Sequence, residues 1–298
     1  MAAAGAQTGE APAATGPTGE NQTQHDASSP AKQPQGLLEE AILTLESRHS
    51  ISARIRHRIE LFGNQLVGSG IYLEERSGPY PLLRQELKIQ LTDHVSTLLQ
   101  VCDGRYLWTY RELLGERTLS QIDAVRVARA MERAGRMPQP GNIDGWPGLG
   151  GLPRLLRGLH RAFHFARVEQ TRLRQLPTWR FVGQWKADQL ASILPKQKDA
   201  IEKGQPADLS RLPEHLPDHV ILWLGKEDLF PYRIEYCRRV ERSRAEGQVE
   251  SRVLVAMELF EVNLNLPINP ARFVYNPGDM KISDRTDAFL ERLNLKDE

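Results

Sequence analysis

The sequence predicts a mainly β protein of the α+β class, built on one broad, curved antiparallel sheet of about ten strands covered by helices. Three observations carry this. Three successive segments alternate apolar and polar residues with period two, the mark of strands wetted on one face only. Asp103-Gly104 separates two apolar runs, one ending at Cys102 and one holding Trp108 and Tyr110. Asp-Gly is a strong hairpin signal, because a type I′ turn needs positive φ at both central residues. The helical segments cluster in the middle of the chain rather than alternating with strands, which argues against a doubly wound parallel sheet.

The elements follow in order. Residues 1–35 are Ala, Gly, Pro, Thr and Gln with almost no large apolar group. They cannot bury enough surface to offset ordering entropy, so a disordered tail is expected ahead of a domain spanning 36–298. LLEEAILTLE (37–46) reads as a short amphipathic helix. In the strand Ala53–Phe62, Ile55, His57, Ile59 and Leu61 share one face, and Arg54, Arg56, Arg58 and Glu60 the other. In Leu66–Glu75, Val67, Ser69, Ile71 and Leu73 take the apolar face, opposite Gly68 and Gly70. In Leu82–Leu91 that face holds Leu83, Leu87, Ile89 and Leu91. Gly68 and Gly70 permit bending or close backbone approach.

The Asp103-Gly104 hairpin is followed by a strand near Arg117–Ile122. Asp123 is placed as N-cap of the helix AVRVARAMERAG, with Gly135 as its stop. A Pro/Gly-rich loop, MPQPGNIDGWPGLGG, leads into LPRLLRGLHRAFHF. There Leu152, Leu155, Leu156, Leu159 and Phe163 form an apolar stripe. Phe165–Leu173 and Thr178–Trp185 read as strands. The polar stretch beginning at Lys186 is helix-prone, so helical inserts are expected near 123–164 and 186–217. His219–Leu224, Tyr232–Val240 and Ser251–Val262 are further strands, and Arg272–Tyr275 a short last one. DRTDAFLERLNL closes the chain as a helix docked by Phe289, Leu290 and Leu293.

Composition narrows the function classes. The 298 residues are 40% hydrophobic and carry a net charge of +1, a balance that gives no support to a nucleic-acid partner. No apolar run approaches the ~20 residues of a membrane-spanning helix. Cys102 and Cys237 lack metal or redox spacing and read as small core hydrophobes, with a bridge open if their strands prove to be neighbours. No secretory leader is visible in MAAAGAQTGEAPAATGPTGE.

Enzyme signatures are absent from the linear sequence. There is no GxSxG, HExxH or P-loop, so no enzyme and no cofactor is expected. GLGG at 148–151 lacks the flanking strand and Lys-Ser/Thr of a phosphate loop and reads as a turn. His160 and His164 stand at i, i+4 without a third ligand, which favours a helix-surface role over a metal site. Asp93-His94 suits a turn. Arg54, Arg56 and Arg58 alternate along a strand and read as its solvated face.

Several segments resemble, in order, the superfamily of LolA and LolB carriers, LppX-type lipoproteins and RseB-type sensors. Gly68-Ser69-Gly70-Ile71-Tyr72-Leu73 is similar to a GxGxLW strand, followed by Glu75-Arg76. Val101-Cys102-Asp103-Gly104-Arg105-Tyr106-Leu107-Trp108-Thr109-Tyr110 is similar to an SDGxxLWxY hairpin. Phe273-Val274-Tyr275-Asn276-Pro277-Gly278, then Ile282-Ser283-Asp284, is similar to a closing FxFxPP segment. The resemblance implies an incomplete antiparallel β-barrel of about ten to eleven strands with a helical lid over an apolar cavity.

It also implies a carrier that holds lipoprotein acyl chains or another lipid during transit through the periplasm. Inner- or outer-membrane sorting components would be its further partners. The alternative within the same group is an RseB-like sensor that binds lipidated or misfolded partners. The apolar faces read above would line the cavity: Ile55, Ile59, Leu61, Val67, Ile71, Leu73, Leu87, Ile89 and Leu91, with Val101 and Trp108. Leu152, Leu155, Leu156, Leu159 and Phe163 would form the lid. Arg76 corresponds by order to an arginine that helps hold that lid shut.

Overall fold

In a computed structural model of the chain, the described residues are 33–61, 64–76, 81–91, 94–134, 150–241, 249–293 and 295. The strands are β1 (Ser50–Leu61), β2 (Asn64–Glu75), β3 (Leu82–Leu91), β4 (His94–Cys102), β5 (Tyr106–Leu113), β6 (Glu116–Asp123), β7 (Phe163–Leu173), β8 (Leu176–Trp185), β9 (His219–Gly225), β10 (Pro231–Glu241), β11 (Val249–Leu264) and β12 (Ile282–Asp284). The helices are α1 (Pro34–Ser47), α2 (Ala124–Arg133), α3 (Gly151–Ala162), α4 (Ala187–Ile193), α5 (Lys198–Glu202) and α6 (Thr286–Arg292).

The twelve strands form a single sheet of order β12-β6-β5-β4-β3-β2-β1-β11-β10-β9-β8-β7. Two meanders, β1 to β6 and β7 to β11, meet where β1 pairs antiparallel with β11. The expected curved antiparallel sheet, open at both ends and covered by helices, is the observed fold. Among the described residues the one parallel pairing is β12 against β6, which caps that edge with a three-residue strand.

The inner face, covered by α1 and α3, holds the main core. Leu37, Leu38, Ala41, Ile42 and Leu45 of α1 and Leu152, Leu156 and Leu159 of α3 pack with Ile51 and Ile55 of β1, Leu83 and Leu87 of β3, Phe165 of β7, Phe181 of β8 and Leu222 of β9. Each such side chain taken from water contributes ~1.5–3 kcal/mol, so the sheet and its two helices stand as one unit. α2 lies apart from that cover. It packs against α6 through Val127, Ala130, Met131 and Leu290. The 186–217 insert has its own small core of Leu190, Ala191, Leu194, Ile201 and Leu212.

Several expectations need correction. Side chains directly opposite one another in adjacent strands share a face. Ile55 faces Gly70 and His57 faces Gly68, so the inner face of β2 is Gly68, Gly70, Tyr72 and Glu74. Val67, Ile71 and Leu73 therefore point outward. The physical reason is close packing: a Cβ on Gly70 would lie 1.7 Å from the Glu86 carbonyl oxygen. The segment 272–275 is not a strand but a 3-10 turn (Pro270–Phe273) and an extended run lying on the outer face. The helix expected from residue 37 begins at Pro34, inside the stretch read as tail. The rest of that tail, the stop at Gly135 and the loop 137–149 lie outside the described residues.

Cys102 and Cys237 are both buried and free. Cys102 belongs to the inner core, whereas Cys237 lies on β10 opposite His219 of β9, so no bridge joins them. Burial pushes the Cys102 thiol up and takes Cys237 to about 11. Both are expected to resist an aromatic disulfide reagent at pH 8 in the native protein and to react after denaturation. Fast native labelling of either would contradict this packing.

Candidate functional site

The site is the inner face together with the helices that cover it. The first turn of α3 is fastened to β2 by polar contacts. Glu74, fully buried, accepts the Leu152 backbone N–H at 3.3 Å, and that N–H also donates to the Tyr72 hydroxyl at 3.0 Å. The same carboxylate accepts the Tyr72 hydroxyl and the Arg76 guanidinium in very short contacts. A carboxylate is favoured at a helix N-terminus, where unsatisfied N–H groups carry partial positive charge. Gly151 makes the approach possible: its φ is +64° and a Cβ there would lie 2.3 Å from Glu74 Oε2. Burial first, then the Glu74 carboxylate, raises the Tyr72 phenol well above its ordinary range, so it stays a neutral donor.

The flank of α3 is tied to α1. Arg157 reaches both Glu46 oxygens at 2.6 Å, His160 Nε2 lies 3.8 Å from Glu39, and His164 Nδ1 lies 2.9 Å from Gln35 Nε2. The two histidines thus serve the α1 contact. Replacing Glu74 with Ala is expected to cost about 2–4 kcal/mol, because it strips partners from buried donors and from Arg76. It should also speed amide exchange at 152–155 ahead of the sheet. Unaltered exchange there would show that the contact does not hold the helix.

Beneath α3 a polar row crosses the inner face. Tyr72 lies opposite Gln85, Gln85 opposite Gln100, Gln100 opposite Thr109 and Thr109 opposite Ser120. Gln85 is fully buried, and neither atom of its amide has a hydrogen-bond partner; the Gln100 carbonyl oxygen lacks one too. Each such group costs ~1–3 kcal/mol. Sequence reasoning missed this row because it put the other side of β2 inward and named only the apolar members of the inner face of β3, passing over Gln85; the Gly68-x-Gly70-x-Tyr72 spacing was the available signal for Tyr72.

The residues expected to line a cavity divide between the two faces. Ile55, Ile59, Leu87 and Ile89 are inner. Val67 is outer and 50% exposed, and Ile71 and Leu73 share its side of β2. Val101 and Trp108 lie opposite one another on the outer face, in a second cluster with Leu119 and Tyr275. Trp108 packs on Tyr275 with ring centroids 5.6 Å apart and donates to Asp103 Oδ2 at 3.0 Å. The closing segment is what buries them. The side chains of Leu61 and Leu91 lie outside the described residues. Of the lid residues, Leu152, Leu156 and Leu159 are buried and Leu155 is partly so. Phe163 starts β7 and stacks on Trp185 at 4.3 Å. Arg76 is linked to α3 through Glu74.

Arg54, Arg56 and Arg58 lie outward, as expected. Arg56 pairs with Glu258 at 3.8 Å and Arg58 with Glu235 at 3.9 Å.

No family model and no curated protein sequence matches the chain. Solved structures do. An outer membrane lipoprotein-sorting protein domain from Vibrio parahaemolyticus is similar at 8% identity, covering 80% of this chain and 95% of that one, with a TM-score of 0.34. The Mycobacterium tuberculosis lipoprotein LppX is similar at 9% identity over 79% of this chain and 96% of that one, TM-score 0.36. MucB is similar at 12% identity over 81% of this chain and 62% of that one, TM-score 0.39.

Proposed function

We propose that the protein is a lipid carrier: it takes the acyl chains of a lipoprotein or another lipid onto the inner face of the sheet when α3 lifts. The observation that carries this is a large apolar face closed by a helix whose first turn is held through one buried carboxylate. Swinging α3 away, hinged where it runs into β7, would uncover Leu87 and its neighbours beside the Gln85 and Gln100 amides. Acyl chains fit the apolar part. Ester or amide groups at the head of a lipid would satisfy the unpaired amides. Transit through the periplasm, with membrane-bound sorting components as donors and acceptors, belongs to the same reading.

The test is a reversible tether. Cysteines at Glu46 and Arg157, joined by a short cleavable cross-linker, would hold α3 against α1. Uptake of a fluorescent fatty acid or an acylated lipopeptide is expected to fall at least tenfold in the cross-linked protein and to return on cleavage. Undiminished uptake would place the ligand elsewhere. A protein partner that co-purifies while organic extracts stay free of lipid would favour the sensor reading.

A further inference from the structure

A second site stands on three neighbouring strands, away from the inner face. Asp218 immediately precedes β9, His219 opens it, and Ser251 is near the start of β11. His219 lies opposite Cys237 on the intervening β10, and Arg239, two residues on, lies opposite Ser251. This pairing draws together residues 32 positions apart. The Ser251 hydroxyl oxygen lies 2.9 Å from His219 Nε2. The other ring nitrogen, Nδ1, makes a very short contact with Asp218 Oδ1. The second Asp218 oxygen accepts the Arg239 backbone N–H at 2.6 Å. Asp218 and His219 are each 6% exposed, whereas Ser251 is open to solvent.

From this geometry we infer that Ser251, His219 and Asp218 form a nucleophile–base–carboxylate chain that hydrolyses carboxylic esters. The order of atoms is what that chemistry needs. An acceptor-only carboxylate at Nδ1 keeps the ring proton there and leaves the Nε2 lone pair for the serine hydroxyl. Burial by itself would raise the Asp218 carboxyl, but the hydrogen bonds from His219 and the Arg239 N–H, with the nearby positive charge, hold it below the usual range. Asp218 therefore stays an anion. Cys237, the other group beside Ser251, is a neutral thiol at ordinary pH and does not compete as a base.

The surroundings can take a substrate. Ser251 lines an open depression of about 390 Å³ with Arg58, Glu60, Gln65, Val240 and Arg252. Arg252 is positioned by Glu60 at 2.9 Å, and Arg58 by Glu235 at 3.9 Å. Two guanidinium groups thus line the same depression as Ser251. In the first step Ser251 Oγ bonds to the ester carbon and gives its proton to His219 Nε2. The ester C–O bond breaks and the alcohol leaves with that proton. Water then attacks the acyl-serine, its proton passes to His219, and the carboxylic acid departs as the serine hydroxyl is restored. One ester and one water become one acid and one alcohol. A search of linear motifs misses this arrangement, because its parts meet only through strand pairing.

The experiment uses the full chain with a fluorophosphonate probe and a p-nitrophenyl ester. Wild type is expected to gain one probe mass at Ser251 and to hydrolyse the ester. Ser251→Ala changes an exposed side chain and should keep the wild-type unfolding midpoint while losing the label. Asp218→Asn should lower the labelling rate at least a hundredfold, through the wrong ring tautomer. An unlabelled wild type, or a Ser251→Ala protein that labels equally, would overturn the proposal and leave the three residues as a tie between strands. Neither result depends on lipid uptake at the inner face.

Discussion

Leu87→Asp is expected to destabilise the protein by at least ~3 kcal/mol, while Val67→Asp stays within about 0.5 kcal/mol of wild type. Leu87 is 3% exposed, on the inner face opposite Gly70 and Leu98, and an aspartate there would be an unpaired charge in the core. Val67 is 50% exposed and lies opposite Arg58, which an aspartate could only attract. Urea unfolding of both variants is the measurement, read as the midpoint at constant slope. Similar losses at the two positions would mean that β2 turns its other side inward.

Gly70→Ala is the second large effect. One methyl group would have to occupy a point 1.7 Å from the Glu86 carbonyl oxygen and 3.0 Å from the Leu87 Cα. Both obstacles are backbone, so no rotamer change relieves them, and β2 and β3 must part. Overpacking of this kind costs ~1–3 kcal/mol in ordinary cores and more where backbone has to move. At roughly 2–4 °C per kcal/mol for a chain of this size, the thermal midpoint should fall by about 6 °C or more. Gly36→Ala, where a Cβ would meet nothing within 4 Å, is the control and should hold or slightly raise the midpoint. A Gly70→Ala protein as stable as wild type would show that the strands are not so close.

Period-two alternation was enough to place β1 and β3 and to choose their inner faces, because each carries large apolar residues on one side and charges on the other. The Asp103-Gly104 turn placed β4 and β5 for a local reason, since only certain residues accept that turn's backbone angles. The apolar stripe of α3 was legible in the same way. Asp123 caps α2 as read, accepting the Arg126 backbone N–H at 2.9 Å.

β2 was misread because both of its sides are plausible insides. Val67, Ile71 and Leu73 look like a core face, yet glycine was needed where two backbones nearly touch, and that need exists only after the sheet has curved. Val101 and Trp108 are buried, but by Tyr275, more than 160 residues away along the chain. Glu74 carries no signal in the linear sequence, because its role exists only once α3 brings its first turn to it.

The sequence by itself thus determined most of the strands, the central hairpin, the amphipathic cover and the lack of any linear catalytic motif. These follow from side-chain periodicity and local backbone preference, which are properties of neighbours in the chain. Only the tertiary structure decided which side of β2 is inside, that Glu74 holds α3, that Gln85 is buried without a partner, and that Asp218, His219 and Ser251 meet. Each of these depends on the register between strands and the curvature of the whole sheet, and those arise from contacts between residues far apart in sequence.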